Sequence, residues 1–360
     1  MLRRIFVMAG LAALIGVSVF AKGGSEQKAP DSGGTAGPSF KGQTLTISHW
    51  GYNMDLLEKN IFKPFEEKYG AKIVYETGNN ADRFTKLMAR KDNPIVDAAF
   101  FAGNYGYDAV NAGLLEPYNP AKIGNLNKIL ASARDPLGGN YMIGYSVSHL
   151  GLFYRSDKTA PITSWKDLYR PELKGFLSLP NMNTTFGPGL VYMLAKAYGG
   201  STSNTEVGWA KLEELAPYLA NTYANSAGLN SMIQQEEVYA APYTSFSWGD
   251  IEKMGLKSAS AVPAEGLVGA FSVVGIVKGS KNTELAHVFI DFLLSYEVQL
   301  AEAMDLVDSP VHTDVKLPPD VAGKLTYGED LIKNLFFYSE AEVAKNKADW
   351  IARWNKIFSK

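Results

Sequence analysis

Four histidines, at positions 49, 149, 287 and 312, are the first side chains that could do chemistry. None has a second histidine or a carboxylate pair at metal-ligand spacing, so each reads as a core or surface histidine and no metal site is expected. The chain has no cysteine, which removes disulfides, thiolate ligands, cysteine nucleophiles and a lipidated N-terminal cysteine. No Gly-x-Ser-x-Gly elbow occurs to expose a serine nucleophile. Gly187-Pro188-Gly189 lacks the third glycine of a dinucleotide-binding turn, and no phosphate loop is present. These absences predict a protein that is not an enzyme and uses no cofactor.

Binding finds more support. In Asn181 to Gly187, Asn183, Thr184 and Thr185 stand between an expected strand and an expected helix, where hydroxyls and free backbone N–H groups converge. Trp50 ends the first expected strand, and Asn104 and Tyr105 follow the third, at the edge where open α/β sheets take ligands. Tyr243 and Ser245 belong to a polar-aromatic run ending at Trp248, and Phe271 and Ser272 lie inside a late apolar strand. These ten residues are the expected ligand contacts.

The elements that must position them occupy 360 residues, enough for two domains. Apolar residues at 46% and charged residues at 20% exclude disorder and a coiled coil. A formal charge of −2 with no long basic run argues against nucleic acid as a partner. Arg3 and Arg4 precede an uncharged run from Ile5 to Phe20, and Val19-Phe20-Ala21 fits a signal-peptidase site. Residues 1–21 are therefore expected to be a cleaved signal peptide, too short to span a bilayer, and 22–42, rich in Gly, Ser and Pro, a flexible tether. The location expected is periplasmic, and no lipid anchor is available without cysteine.

Thr44 to Trp50 alternates like a half-buried strand. Met54 to Tyr69 predicts a helix with Leu57, Ile61, Phe65 and Tyr69 on one face and Gly70 as its stop. Strands at 71–77 and 96–101 flank a helix over 82–91, with Phe84, Leu87 and Met88 inward. That alternation predicts a parallel, doubly wound sheet. A second α/β unit follows: an extended run at 148–154, a helix capped by Ser164, a strand at 176–179 and a helix to about Tyr198. A strand over 268–277 and one long helix over 284–304, with Leu285, Phe289, Phe292, Leu293 and Leu300 inward, complete the pattern.

Several segments resemble the periplasmic solute-binding proteins of bacterial ABC importers, in the polyamine (spermidine/putrescine) branch. Ile61 to Ile73 is similar to that family's entry into its second strand, and Asn93 to Asp97 with Ala112 to Pro117 to its third strand and the turn after the next helix. Pro161 to Gly175, with Ser164-Trp165, Asp167-Leu168, Pro171-Glu172 and Lys174-Gly175, carries the most specific likeness. Ala348 to Asn355 resembles the tail of larger members. The resemblance implies a two-lobed α/β fold, each lobe a sheet flanked by helices, joined by hinge crossovers near His149-Leu150, Phe271-Ser272 and Asp308 to Pro310. One lobe would hold 43–149 and 272–308, the other 150–271 and 309–360. It further implies a monomer that hands a small-molecule solute to an ABC permease in the cytoplasmic membrane.

Family members that bind polyamines enclose the amines with carboxylates and stack aromatics along the methylenes, because a buried ammonium needs a counter-charge. Trp50 matches the first-strand tryptophan. The loop that offers Asp and Glu in the family reads Asn181, Met182, Asn183, Thr184 and Thr185 here, and the late strand offers Ala270 or Phe271 and Ser272. Glu236, Glu237, Asp250 and Glu265 are the carboxylates expected as replacements. Two ligand classes stay open, an amine or amino acid such as 4-aminobutyrate and an anion such as a carboxylate or phosphonate. An exported enzyme or adhesin on the same scaffold is the reading from another class.

Overall fold

A computed structural model describes residues 39–358; the expected signal peptide and most of the expected tether lie outside them. Phe40, assigned to the tether from sequence, is already core: it is buried, and its N–H donates to the Tyr69 carbonyl at 2.8 Å.

The first part alternates as the pattern predicts. It runs β1 (Thr44–His49), α1 (Met54–Leu57), a π turn (Glu58–Phe62), α2 (Lys63–Tyr69), β2 (Lys72–Thr77), α3 (Asn80–Ala89), β3 (Ala98–Ala102), α4 (Gly103–Asn111) and β4 (Leu115–Glu116). Leu57, Ile61, Phe65 and Tyr69 are all buried, but the helix they line is interrupted by the π turn, which also buries Asn60. On α3 the inward residues are Leu87 and, against expectation, Arg83, whereas Met88 is 42% exposed.

The long strand β5 (Ile143–Arg155) leads to β6 (Leu177–Pro180), α5 (Gly187–Ala197), α6 (Glu206–Leu215), β7 (Leu219–Tyr223), α7 (Ser226–Gln234), β8 (Ala240–Thr244), α8 (Trp248–Lys253) and β9 (Ser258–Ala261). Ser164 caps a single 3-10 turn, Trp165–Tyr169, with Asp167 closing the capping box. The chain ends with β10 (Leu267–Val277), α9 (Thr283–Leu293), α10 (Tyr296–Met304), α11 (Pro319–Ala322), α12 (Glu329–Lys333), β11 (Leu335–Phe336) and α13 (Glu340–Phe358). The expected helix over 284–304 is thus two, because Ser295 takes extended backbone and starts a new helix. That break turns Val298, Gln299, Glu302 and Ala303 inward and leaves Leu300 half-buried.

One sheet runs β2-β1-β3-β10-β5-β8-β6-β7, with β4 and β11 also on β10 and β9 on β5. β1 is parallel to β2 and β3, and β6 is parallel to β7 and β8. Between the two parallel sets β5 and β10 run antiparallel. β5 serves two cores along its length. Ile143, Tyr145 and Val147 join Phe65, Phe100 and Phe289, whereas Leu150 and Leu152 join Trp165, Tyr192 and Trp350. A third cluster holds Phe153, Tyr223, Ile233 and Tyr243.

Candidate functional site

On one edge of β10, β11 pairs at Leu267 and Val268 and β3 pairs from Ser272 onward. Gly269, Ala270 and Phe271 between them have no strand partner on that edge. Beyond β11 the chain fills the gap with aromatics. The Phe337 ring stacks on Phe271 with centroids 4.8 Å apart, and a side chain on Gly269 would come within 2.6 Å of Phe337. Tyr338 then donates its hydroxyl to the Thr185 carbonyl, and Glu340 reaches the first residue of α4.

A narrow cleft with an enclosed volume of about 20 Å³ lies at this junction. Asn104 and Asp108 come from α4, Asn183 and Thr184 from the loop before α5, and Glu340 and Lys347 from α13. The carboxyl ends of β3 and β6 therefore deliver three of the expected contacts to one place. Within it the Thr184 hydroxyl is engaged by the start of α5: it donates to the Asn181 carbonyl at 2.8 Å and accepts from Gly187 N–H at 3.0 Å. Asn104 turns its Oδ1 onto Tyr105 N–H, and Asn183 is exposed. Tyr105 is half-buried, its ring 5.6 Å from Lys347 Nζ.

Trp50 stands at the carboxyl end of β1, edge-on to His49 and Phe100, with the Arg83 guanidinium over its ring. Arg83 has no exposure. It donates to the carbonyls of Gly78, Ser48 and Phe100 and to Asn80 Oδ1, which ties together the ends of β1 and β3 and the start of α3. Burial lowers its pKa to about 10, and burial with the nearby guanidinium holds His49 neutral, near 3.

The remaining expected contacts lie elsewhere. Tyr243 is buried in the third core, its hydroxyl bonded to Asn230 and to the Ser247 carbonyl. Ser245 accepts from His149 N–H at 3.0 Å and shares a bond with Thr326 Oγ1, itself bonded to His149 Nδ1. Phe271 is under Phe337, and Ser272 lies in β10 between Ala102 of β3 and Ser146 of β5.

Three of the four expected replacement carboxylates are engaged. Glu236 pairs with Arg155 and Lys158, Glu265 accepts from Ser164 Oγ and Trp165 N–H, Asp250 faces Asn230 and Lys253, and Glu237 is exposed. Of two further acids with raised pKa values that the sequence did not single out as ligands, Glu340 lines the cleft and Asp308 does not. Asp308, in the segment after α10, has its carboxyl raised to about 6 by burial, with Ser146 opposing. Glu340 is raised to about 8, first by burial and then by Asp108, with Lys347 opposing. Its only sequence signal is its place after the aromatic run Phe336-Phe337-Tyr338.

Among the described residues no helix is long and apolar enough to cross a membrane. The chain is 26% identical to the putrescine-binding periplasmic protein SpuD of Pseudomonas aeruginosa, over 88% of this chain and 92% of that one. It is 25% identical to the spermidine/putrescine-binding periplasmic protein of Escherichia coli, over 85% of this chain and 86% of that one. A crystal structure of an ABC transporter protein from Clostridium perfringens superposes with a TM-score of 0.80 at 32% identity, over 87% of this chain and 99% of that one. Residues 60–326 match the family described as bacterial extracellular solute-binding protein. The chain belongs to the bacterial extracellular solute-binding proteins that serve ABC transporters, with periplasmic polyamine-binding proteins among its relatives.

Proposed function

We propose that this protein captures an amine-bearing small molecule, a polyamine or a 4-aminobutyrate-like amino acid, in the cleft between α4, the Asn181–Gly187 loop and α13, and delivers it to an ABC permease. The supporting observation is convergence: Asn104, after a strand of the first parallel set, shares one cleft with Asn183 and Thr184, after a strand of the second. A ligand held by both sets favours the arrangement that brings them together, and only such differential contact shifts a conformational equilibrium. Two lobes, 43–149 with 272–308 and 150–271 with 309–360, would close on it as the hinge rotates. Export to the periplasm on the leader at 1–21, followed by action as a monomer, belongs to the same proposal.

A thermal-shift panel of polyamines, amino acids, organic anions and phosphonates tests it. A specific ligand at about 100 times its dissociation constant adds about 2.7 kcal/mol of stability. Silence across the panel, after unfolding and refolding to strip carried ligand, sinks the transport reading. The anion alternative draws on one observation, the absence of any carboxylate from Asn181 to Gly187. Hits confined to anions would move the ligand class there.

A further inference from the structure

Glu340 opens α13 and points its carboxyl at the start of α4, where a side chain on Gly103 would lie 2.6 Å from Oε1. Oε2 is enclosed and has no hydrogen-bond partner. The one cation beside it is shared with a second acid. Lys347 on α13 gives its Nζ to Asp108 on α4 at 3.4 Å. Tyr338 donates to the Thr185 carbonyl, and the Tyr192 hydroxyl on α5 is buried without a partner. Burial pushes both phenols above their ordinary range, so neither is charged near neutrality. The cleft lining therefore holds two acids, Asp108 and Glu340, against one cation, Lys347, together with Asn104, Asn183 and Thr184.

A carboxyl enclosed without a counter-charge of its own keeps its proton, because desolvation penalises the anion. The raised pKa of Glu340 follows from that placement. An ammonium group arriving in the cleft supplies the missing charge. The carboxylate then becomes the favoured form, and the proton leaves to solvent.

We propose that Glu340 selects the charge of the ligand, receiving one ammonium group in exchange for the proton it carries in the empty cleft; this rests on the importer reading of the same cleft. Glu340 stands apart from the loop and the late strand where the resemblance led carboxylates to be sought.

Calorimetric titration of residues 22–360 with 1,4-diaminobutane, 4-aminobutyrate and succinate tests it, since the three share one carbon frame and differ in terminal charge. Buffers of different ionisation enthalpy count the protons. The expected result is binding of at least one amine and not of succinate, with close to one proton released at pH 7. Affinity should rise about tenfold per pH unit below pH 7.5 and level off above the Glu340 pKa of about 8. Glu340→Gln imitates the protonated acid, so it should keep the wild-type melting temperature, lose at least tenfold in amine affinity, and lose both the proton and the pH slope. Amine binding without proton release, an unaffected Glu340→Gln, or binding of anions alone overturns the assignment and leaves the importer reading intact. No binding to any member of the wider panel overturns both.

Discussion

The Arg83 guanidinium lies 4.8 Å from the centre of the Trp50 ring, and Arg83 itself does not reach solvent. A ring already holding a cation on one face attracts a second one weakly on the other. Trp50 is therefore suited to methylene or neutral parts of a ligand, while a charge is met elsewhere. Trp50→Ala should weaken binding of the panel's best ligand at least tenfold by calorimetry; unchanged affinity removes Trp50 from the site. Arg83→Met should cost about 3 kcal/mol in urea unfolding, because it leaves the carbonyls of Ser48, Phe100 and Gly78 without their donor.

Gly103 separates structure from binding at the other side of the cleft. Its added Cβ would meet only the far end of the Glu340 side chain, at 2.6 Å, and a flexible side chain can swing away. Gly103→Ala should melt within a few degrees of wild type and yet bind amines at least tenfold more weakly, since the displaced carboxyl no longer faces Asn104 and Asn183. A melting loss of ten degrees or more, or unaltered affinity, contradicts this.

The β1-α-β2-α3-β3 order was legible because strand and helix periods differ and each apolar stripe meets a core. The shared place of Asn104, Asn183 and Thr184 at one cleft was legible from their positions after strand ends, whereas Trp50, also at a strand end, does not line that cleft. Arg83 was hidden by type: it occupies the inward face of α3 four residues before Leu87, but an arginine is scored as solvent-facing unless its acceptors are known. These acceptors are carbonyls on three different segments. Glu340 was hidden by distance, because its meeting with Gly103 is tertiary and leaves no local pattern. The single helix expected over 284–304 failed at Ser295, where the apolar spacing of α9 does not continue in phase into α10.

Glu302 makes stability fall with alkaline pH. It is 3% exposed, neither carboxyl oxygen has a partner among its neighbours, and Asn60 Nδ2 donates instead to Asp305. Burial, aided by Asp308, raises its pKa from 4.5 to about 8. The folded state therefore holds the proton more tightly than the unfolded chain, so its contribution is complete below about pH 4.5 and is lost as pH rises through 8. The unfolding free energy from urea titrations should drop between pH 6 and pH 9, by roughly 3 kcal/mol for this group, and Glu302→Gln should flatten the decline. Glu340 acts in the same direction, so the double Gln variant should be flatter still.

Gln299 offers a sharper contrast, because all its bonds are to backbone. Nε2 donates to the Tyr145 carbonyl at 3.0 Å and the Leu293 carbonyl at 3.1 Å, and Oε1 accepts from Val311 N–H at 2.8 Å. It thereby joins β5, just before that strand enters the second core, to the segment that returns after α10. Gln299→Leu strands an N–H and two carbonyls in the core and should cost about 3 kcal/mol at any pH. Gln299→Glu keeps the acceptor for Val311, but as an anion it would face two carbonyl oxygens, and only the protonated acid can still donate to one. Its loss should be modest at pH 5 and should deepen by pH 8 as that proton is pulled off. Equal losses at the two pH values in urea unfolding would mean that Gln299 holds its place by packing and not by its hydrogen bonds.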